Sequence, residues 1–312
     1  MTDILPSGFL SVFTFLFGLV FGSFLNVVIY RVPRELSVVK PRSACPSCGA
    51  AIRAYDNIPV FSWIILRGRC RNCRTPISPR YAIVELLCGF LFVAAYYYAA
   101  PLTTELAVLS LFKFCLFFFL LLGLIFIDFE HHLLPDVLTL PGFIAGLIFS
   151  IFIPVGGLPH ALTRRLLALN WPLGAISLVE ALIGAAVGAL FIYGVGEIYF
   201  RVRHIEGMGF GDVKLMAMVG AFLGAKLALF TIFTGALLGS IFGVIATLAV
   251  WRKRIARRRR HQTSQVWARS WASARLMLRY YEVPFGVFLG GMAIVSTFIG
   301  NPITDWYLSL YR

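Results

Sequence analysis

Charge is scarce in this sequence and acidic charge scarcer still: Asp, Glu, Lys and Arg supply 13% of its 312 residues, with only 14 Asp and Glu against 28 Lys and Arg. Soluble domains carry about a quarter charged residues. With 59% hydrophobic residues and a mean hydropathy of +0.84, a soluble globule is excluded. No glycine-rich dinucleotide fingerprint follows a strand pattern, and no internal repeat is visible. No activated serine and no open metal site competes for a chemical role. The residues before the first apolar run include Asp3 and no base, and no small-x-small site follows that run. It therefore reads as a retained signal anchor and not a removable leader.

Long apolar runs are what the chain has in quantity. A spanning helix needs about 20 mostly apolar residues, and such runs lie near 8–30, 81–100, 104–127, 136–155, 174–200, 212–225, 227–250 and 283–300. The expected fold is an all-α polytopic membrane protein with about eight transmembrane helices. The sixth run is short, and its separation from the seventh rests on Gly224-Ala225-Lys226. Three units are expected: a first transmembrane anchor at 1–30, a polar subdomain at 31–80, and a helical membrane domain at 81–312 that includes a basic loop at 251–282.

The bases report orientation. Stretches 31–80, 200–214 and 251–282 hold 10, 3 and 10 of the 28 Lys and Arg residues, and with the N-terminus outside all three fall on one side. The positive-inside rule makes that side cytoplasmic. Within 251–282, Trp267, Trp271, Ala274 and Leu278 recur at helical spacing among arginines, which suits a helix on an anionic inner leaflet. Nucleic acid is not expected as a partner, because bases without a recognition fold are weak evidence for it.

The polar subdomain carries the sharpest local signal: Cys45-Pro-Ser-Cys48, 21 residues, then Cys70-Arg-Asn-Cys73. Two such knuckles suit a tetrahedral zinc site with four thiolates. Neighbouring Arg42, Arg53, Arg69, Arg71 and Arg74 favour thiolates. Four cysteines leave no open position for water, so this zinc is expected to fold the subdomain and do no chemistry. A disulfide reading conflicts with a reducing cytoplasmic loop. Cys88 and Cys115 fall inside apolar runs and read as packing residues.

Other polar residues have plainer readings. Adjacent His131 and His132 cannot share a helix face and read as interfacial. Asp136, after Pro135, is expected to cap the fourth helix. Glu180 and Glu197 read as interfacial or paired with Arg201. Tyr96-Tyr97-Tyr98 reads as an interfacial belt. Gly184 and Gly188, Gly220 and Gly224, and Gly235, Gly239 and Gly243 recur one turn apart, the spacing of closely packed helices.

Two acids stand apart. Asp128 ends the run 116–127, and Asp212 sits in Gly207-Met208-Gly209-Phe210-Gly211-Asp212-Val213-Lys214. Alternate glycines let a second backbone approach closely. Two carboxylates brought together in a poorly hydrated site share a proton. One then takes a proton from an attacking water while the other polarises a peptide carbonyl. The residues by themselves leave three readings open: an aspartyl hydrolase, a proton-coupled transporter, or a structural pair. A membrane-anchored zinc adaptor is a further alternative.

In order along the chain, Gly22-Ser23-Phe24-Leu25-Asn26-Val27-Val28, the four cysteines, Asp56-Asn57-Ile58-Pro59 with Ser62, Ile77-Ser78-Pro79-Arg80-Tyr81 with Glu85, Asp128 with Leu134-Pro135-Asp136, and Glu206 through Lys214 resemble the motifs of the bacterial type IV prepilin peptidases. The resemblance implies an eight-helix inner-membrane aspartyl protease with Asp128 and Asp212 as its catalytic pair. It implies cleavage of the basic leader of type IV prepilins or type II secretion pseudopilins at the cytoplasmic face. It also implies N-methylation of the new N-terminus with S-adenosylmethionine, an activity that accompanies the cysteine segment. Glu130, Glu206 and inner-leaflet lipids are expected to attract the basic leader. Two features depart from the family pattern: the long basic stretch 251–282, and Val283-Pro284-Phe285-Gly286-Val287, which lacks a second proline.

Overall fold

Where no water can hydrogen-bond the backbone, a helix is the way for a single segment to pair all of its own N–H and C=O groups. The apolar runs accordingly become helices in the computed structural model, which describes residues 7–155, 172–204, 209–260, 270–271 and 284–310. The helices are α1 (Ser7–Arg31), α2 (Phe61–Ile65), α3 (Arg80–Ala99), α4 (Thr104–His131), α5 (Asp136–Phe152), α6 (Leu173–Arg203), α7 (Phe210–Arg260) and α8 (Phe285–Ser309). Six of them, α1, α3, α4, α6, α7 and α8, are long and apolar enough to cross a membrane, while α5 is a shorter apolar helix.

Helix α7 is interrupted at Gly224, where φ is 80° and ψ is 171°. The break falls on the predicted boundary between the sixth and seventh runs. Counting its two arms separately gives eight apolar segments among the described residues. A Cβ placed on Gly188 of α6 would lie 2.5 Å from Met216 O and 3.6 Å from Ala228 Cβ, so the two arms flank one point of α6. The chain doubles back at the break.

Small residues make these contacts possible. A Cβ on Gly184 would stand 2.4 Å from Gly220 O, and one on Gly22 would stand 2.6 Å from Glu85 Cα. Backbones at such separations admit no side chain. Gly235 and Gly239 likewise pack on α8, whereas Gly243 faces open space. The central core joins Leu25 and Ile29 of α1, Phe117, Phe118, Leu121 and Ile127 of α4, and Leu215, Met216 and Phe222 of α7.

Three expectations are corrected. Helix α7 continues to Arg260, ten residues into the stretch read as a loop from 251, because Lys and Arg are good helix formers and nothing there breaks the pattern. Asp136 does not cap α5: it is the first helical residue, after an extended Pro135. Glu180 is buried inside the bundle and is not interfacial, whereas Glu197 does pair with Arg201 at 2.7 Å. Glu206, Trp267, Ala274 and Leu278 lie outside the described residues.

Candidate active site

Local turn chemistry brings Asp128 and Asp212 to one end of the bundle. Helix α4 stops because His132 takes the left-handed conformation (φ 52°) and returns its N–H to Asp128 O at 2.9 Å. Asp128 is thus left in the last turn. Pro135, extended, then starts α5. Asp212 lies in the first turn of α7, its N–H bonded to Gly209 O at 3.1 Å. Both side chains are buried, at 6% and 8% exposure, and Asp128 lies within electrostatic range of Asp212.

The third wall is the start of α8. Val287 N–H donates to Asp128 Oδ2 at 3.0 Å. A carboxylate here satisfies one of the amides that a helix N-terminus leaves unpaired, and it meets the positive end of the helix dipole. Gly286 makes the approach possible, since a Cβ there would lie 2.9 Å from Asp128 Oδ2 and 3.1 Å from Leu134 Cδ1. Leu134 also packs on Gly211, where a Cβ would lie 2.8 Å from Leu134 Cβ. The α4–α5 turn is therefore a wedge that contacts the backbone beside each aspartate.

Two ion pairs fasten this arrangement, each two residues beyond an aspartate. Lys214 Nζ holds both oxygens of Asp136, at 2.6 and 2.8 Å, and ties α7 to α5. Arg80 pairs with Glu130 and ties α3 to α4. Glu130, expected to attract a basic leader, is thus paired with Arg80 within the protein. Among the described residues, the one group of three or more potential metal ligands is formed by cysteines.

That cluster is Cys45, Cys48, Cys70 and Cys73, whose sulfurs all lie within 4.8 Å of one another. The knuckles are built alike. Cys45 N–H bonds Ala50 O and Cys70 N–H bonds Thr75 O, each at 2.9 Å, and the turns close on Gly49 (φ 71°) and Arg74 (φ 61°). Cys45 Sγ and Cys73 Sγ are 3.8 Å apart. Four sulfurs at about 2.3 Å from one ion would be separated by about 3.8 Å, so the donor set fits zinc. Hydrogen bonding with Thr75 pulls the Cys73 thiol down to about 6. Arg71 grips Asp56 with bonds of 2.6 to 3.0 Å and holds its carboxyl below the usual range.

The subdomain is anchored to the bundle by a buried polar group. Glu85 of α3, 8% exposed, accepts the Val60 N–H at 2.7 Å. That amide belongs to a tight turn with Val60 at φ 62°, a conformation costly for a β-branched residue and supported here by the carboxylate. Just below this anchor, Asn26 of α1 donates to Tyr81 O at 2.9 Å and ties α1 to the first turn of α3.

Sequence reading named both aspartates and all four cysteines but missed Gly286 and Val287 as partners of Asp128. The signal was present in Pro284 followed by Gly286, a helix start with a glycine in its first turn.

Comparison with known proteins follows the same division. The profile of the bacterial peptidase A24 N-terminal domain matches residues 16–99, and that of the type IV leader peptidase family matches residues 115–244. The chain is 40% identical to a prepilin leader peptidase/N-methyltransferase of Myxococcus xanthus, over 78% of this chain and 64% of that protein. Proteins of the same name from Burkholderia pseudomallei (strain 1026b) and Aeromonas hydrophila are 35% and 34% identical, over 96% and 95% of this chain and 88% and 92% of theirs. No solved structure gives a significant match. With such identity along nearly its whole length, this chain belongs to the type IV leader peptidase family.

Proposed function

We propose that this membrane protein cleaves the basic leader from type IV prepilins or type II secretion pseudopilins and then methylates the new N-terminus, with Asp128 and Asp212 as its catalytic carboxylates. The observation that carries this reading is the convergence of two buried aspartates at one bundle end, one of them held by the Val287 amide. One carboxylate takes a proton from water as the water oxygen adds to the scissile carbonyl carbon. Its protonated partner donates to the carbonyl oxygen. When the resulting diol collapses, the C–N bond breaks and the departing amine takes up a proton. The relatives' shared name supports both activities, and nothing in the molecule or its relatives favours a transporter.

Cys45, Cys48, Cys70 and Cys73 would hold a zinc ion whose part would be to join the two knuckles, with no role in the hydrolysis. S-adenosylmethionine, when bound, supplies a methyl cation equivalent to the freed amine. The distribution of bases supports an inner-membrane location with the N-terminus outside and the aspartates on the cytoplasmic side. Anionic lipids at the exposed Arg252 and Lys253 suit that orientation.

The test is to incubate purified protein with a prepilin, with and without S-adenosylmethionine, and to measure product masses. Leader loss in both samples and one added methyl only with the donor support the reading. An intact precursor with wild-type protein, or cleavage by Asp128→Ala or Asp212→Ala protein, overturns it.

A further inference from the structure

A cleft enclosing about 330 Å³ opens between the end of α1 and the first cysteine knuckle. Its floor is apolar, with Phe24 and Val27 from α1 and Val38 from the connection that follows. The rim is polar: Arg42 and Ser43 lead into Cys45, and Asn57 ends the short 3-10 turn Ala54–Asn57. Arg31 shapes the wall and is turned to the protein's own backbone, donating to Ser37 O at 2.8 Å and Pro41 O at 2.7 Å. By contrast, the Arg42 guanidinium, the Ser43 hydroxyl and the Asn57 amide make no side-chain hydrogen bond or ion pair with any described residue.

We propose that this cleft is the S-adenosylmethionine site, with Arg42 holding the donor's carboxylate and Asn57 reading the edge of its adenine. The inference rests on the methyltransferase reading given above. The volume is in the usual range for small-molecule sites, which are mostly apolar with a few fixed polar groups. A guanidinium is matched in shape and charge to a carboxylate. An amide side chain carries both a donor and an acceptor, the pair that an adenine edge requires. Phe24, 47% accessible, adds aromatic surface to the floor while its ring lies parallel to that of Phe119 of α4, centroids 6.3 Å apart.

The position of the cleft also explains why a cysteine subdomain should accompany methylation. Arg42 and Ser43 are placed by the backbone that turns into the Cys45 knuckle, where Ser43 O accepts the Ile52 N–H at 2.9 Å. A folded knuckle is therefore a condition for a formed rim. Hydrolysis, in contrast, draws on groups from α4, α7 and α8.

The test is equilibrium binding of S-adenosylhomocysteine, which cannot transfer a methyl group, to the full-length protein in lipid nanodiscs. Wild type should bind saturably. Arg42→Ala and Asn57→Ala should each bind about tenfold more weakly or worse, the usual scale for a lost hydrogen bond to a charged or fully used partner. Arg42→Lys should recover part of the loss. Val38→Trp, which fills the floor, should abolish binding, and an unchanged melting temperature confirms folding in each case. If wild type binds and all four variants bind as tightly, the cleft is not the site, though the methyltransferase reading stands. If wild type does not bind at all, both fall.

Discussion

Replacing Gly286 with alanine probes the catalytic geometry without touching either aspartate. The new methyl would lie 2.9 Å from Asp128 Oδ2 and 3.2 Å from Asp128 Cγ, about half an ångström inside normal contact. A free carboxylate would turn away at little cost, but this one is held by Val287 N–H at 3.0 Å and faces Leu134 on the same side. Relief of the clash therefore lengthens or breaks that bond. A hydrogen bond to a charged group is worth about 1.5–3 kcal/mol, and a misplacement of about 1 Å in a reacting group costs about 100-fold in rate. Gly286→Ala should lower kcat for leader cleavage by roughly 10- to 100-fold, with KM within about twofold of wild type. Gly291→Ala is the control: it sits on the same helix, and its Cβ would meet nothing within 4 Å. Cleavage of a purified prepilin, followed by mass against time, is the assay. Gly286→Ala protein that cleaves at the wild-type rate would refute the role given to the α8 N-terminus.

The Lys214–Asp136 pair is partly exposed and should add at most about 1 kcal/mol to stability. Its use is in placing α7 against α5, so Lys214→Met should cut cleavage several-fold while the melting temperature stays nearly constant. Exchanging the charges with Lys214→Asp plus Asp136→Lys should restore part of the rate, and no recovery would argue against a positioning role. At the knuckle, Thr75→Val removes a hydroxyl that keeps the Cys73 thiol near 6. Protons then compete with the metal from a higher pH, and the midpoint of zinc release, read with a chromogenic chelator, should rise by roughly half a unit to one unit. A midpoint that fell or stayed would contradict that assignment. Within the bundle, a Cβ on Gly220 would lie 2.1 Å from Gly184 O, a backbone atom that cannot swing aside. Gly220→Ala should destabilise the α6–α7 contact by about 1–3 kcal/mol or more, seen as a lower melting temperature in detergent.

Much of this architecture is legible in composition and spacing because a membrane-spanning chain has few ways to satisfy its backbone. The predicted runs at 8–30, 81–100 and 174–200 correspond to α1, α3 and α6, and Gly224 sits where the sixth run meets the seventh. The cysteine spacing translated directly into one cluster, since two turns each presenting two sulfurs have little freedom. What stayed hidden was pairing between distant segments. Arg80 with Glu130, Val60 with Glu85, and Asp128 with Val287 are separated by 50, 25 and 159 positions, and no local pattern announces them. Asp136 was misread for the same reason: capping preference favoured a local bond, but its carboxylate is taken by Lys214, 78 positions on. The length of α7 was missed because a run of bases signals a membrane boundary, and a helix can continue past that boundary into water.

Whether Asp128 and Asp212 work as one unit is best decided by a kinetic cycle of Asp128→Asn, Asp212→Asn and the double variant on a single prepilin. Groups that act together lose nearly everything with the first substitution. Each single variant should therefore cleave at the background rate, and the double variant should be no slower. A single variant that retains most of the wild-type rate, or losses that multiply in the double variant, would show that the two carboxylates do not form the catalytic pair.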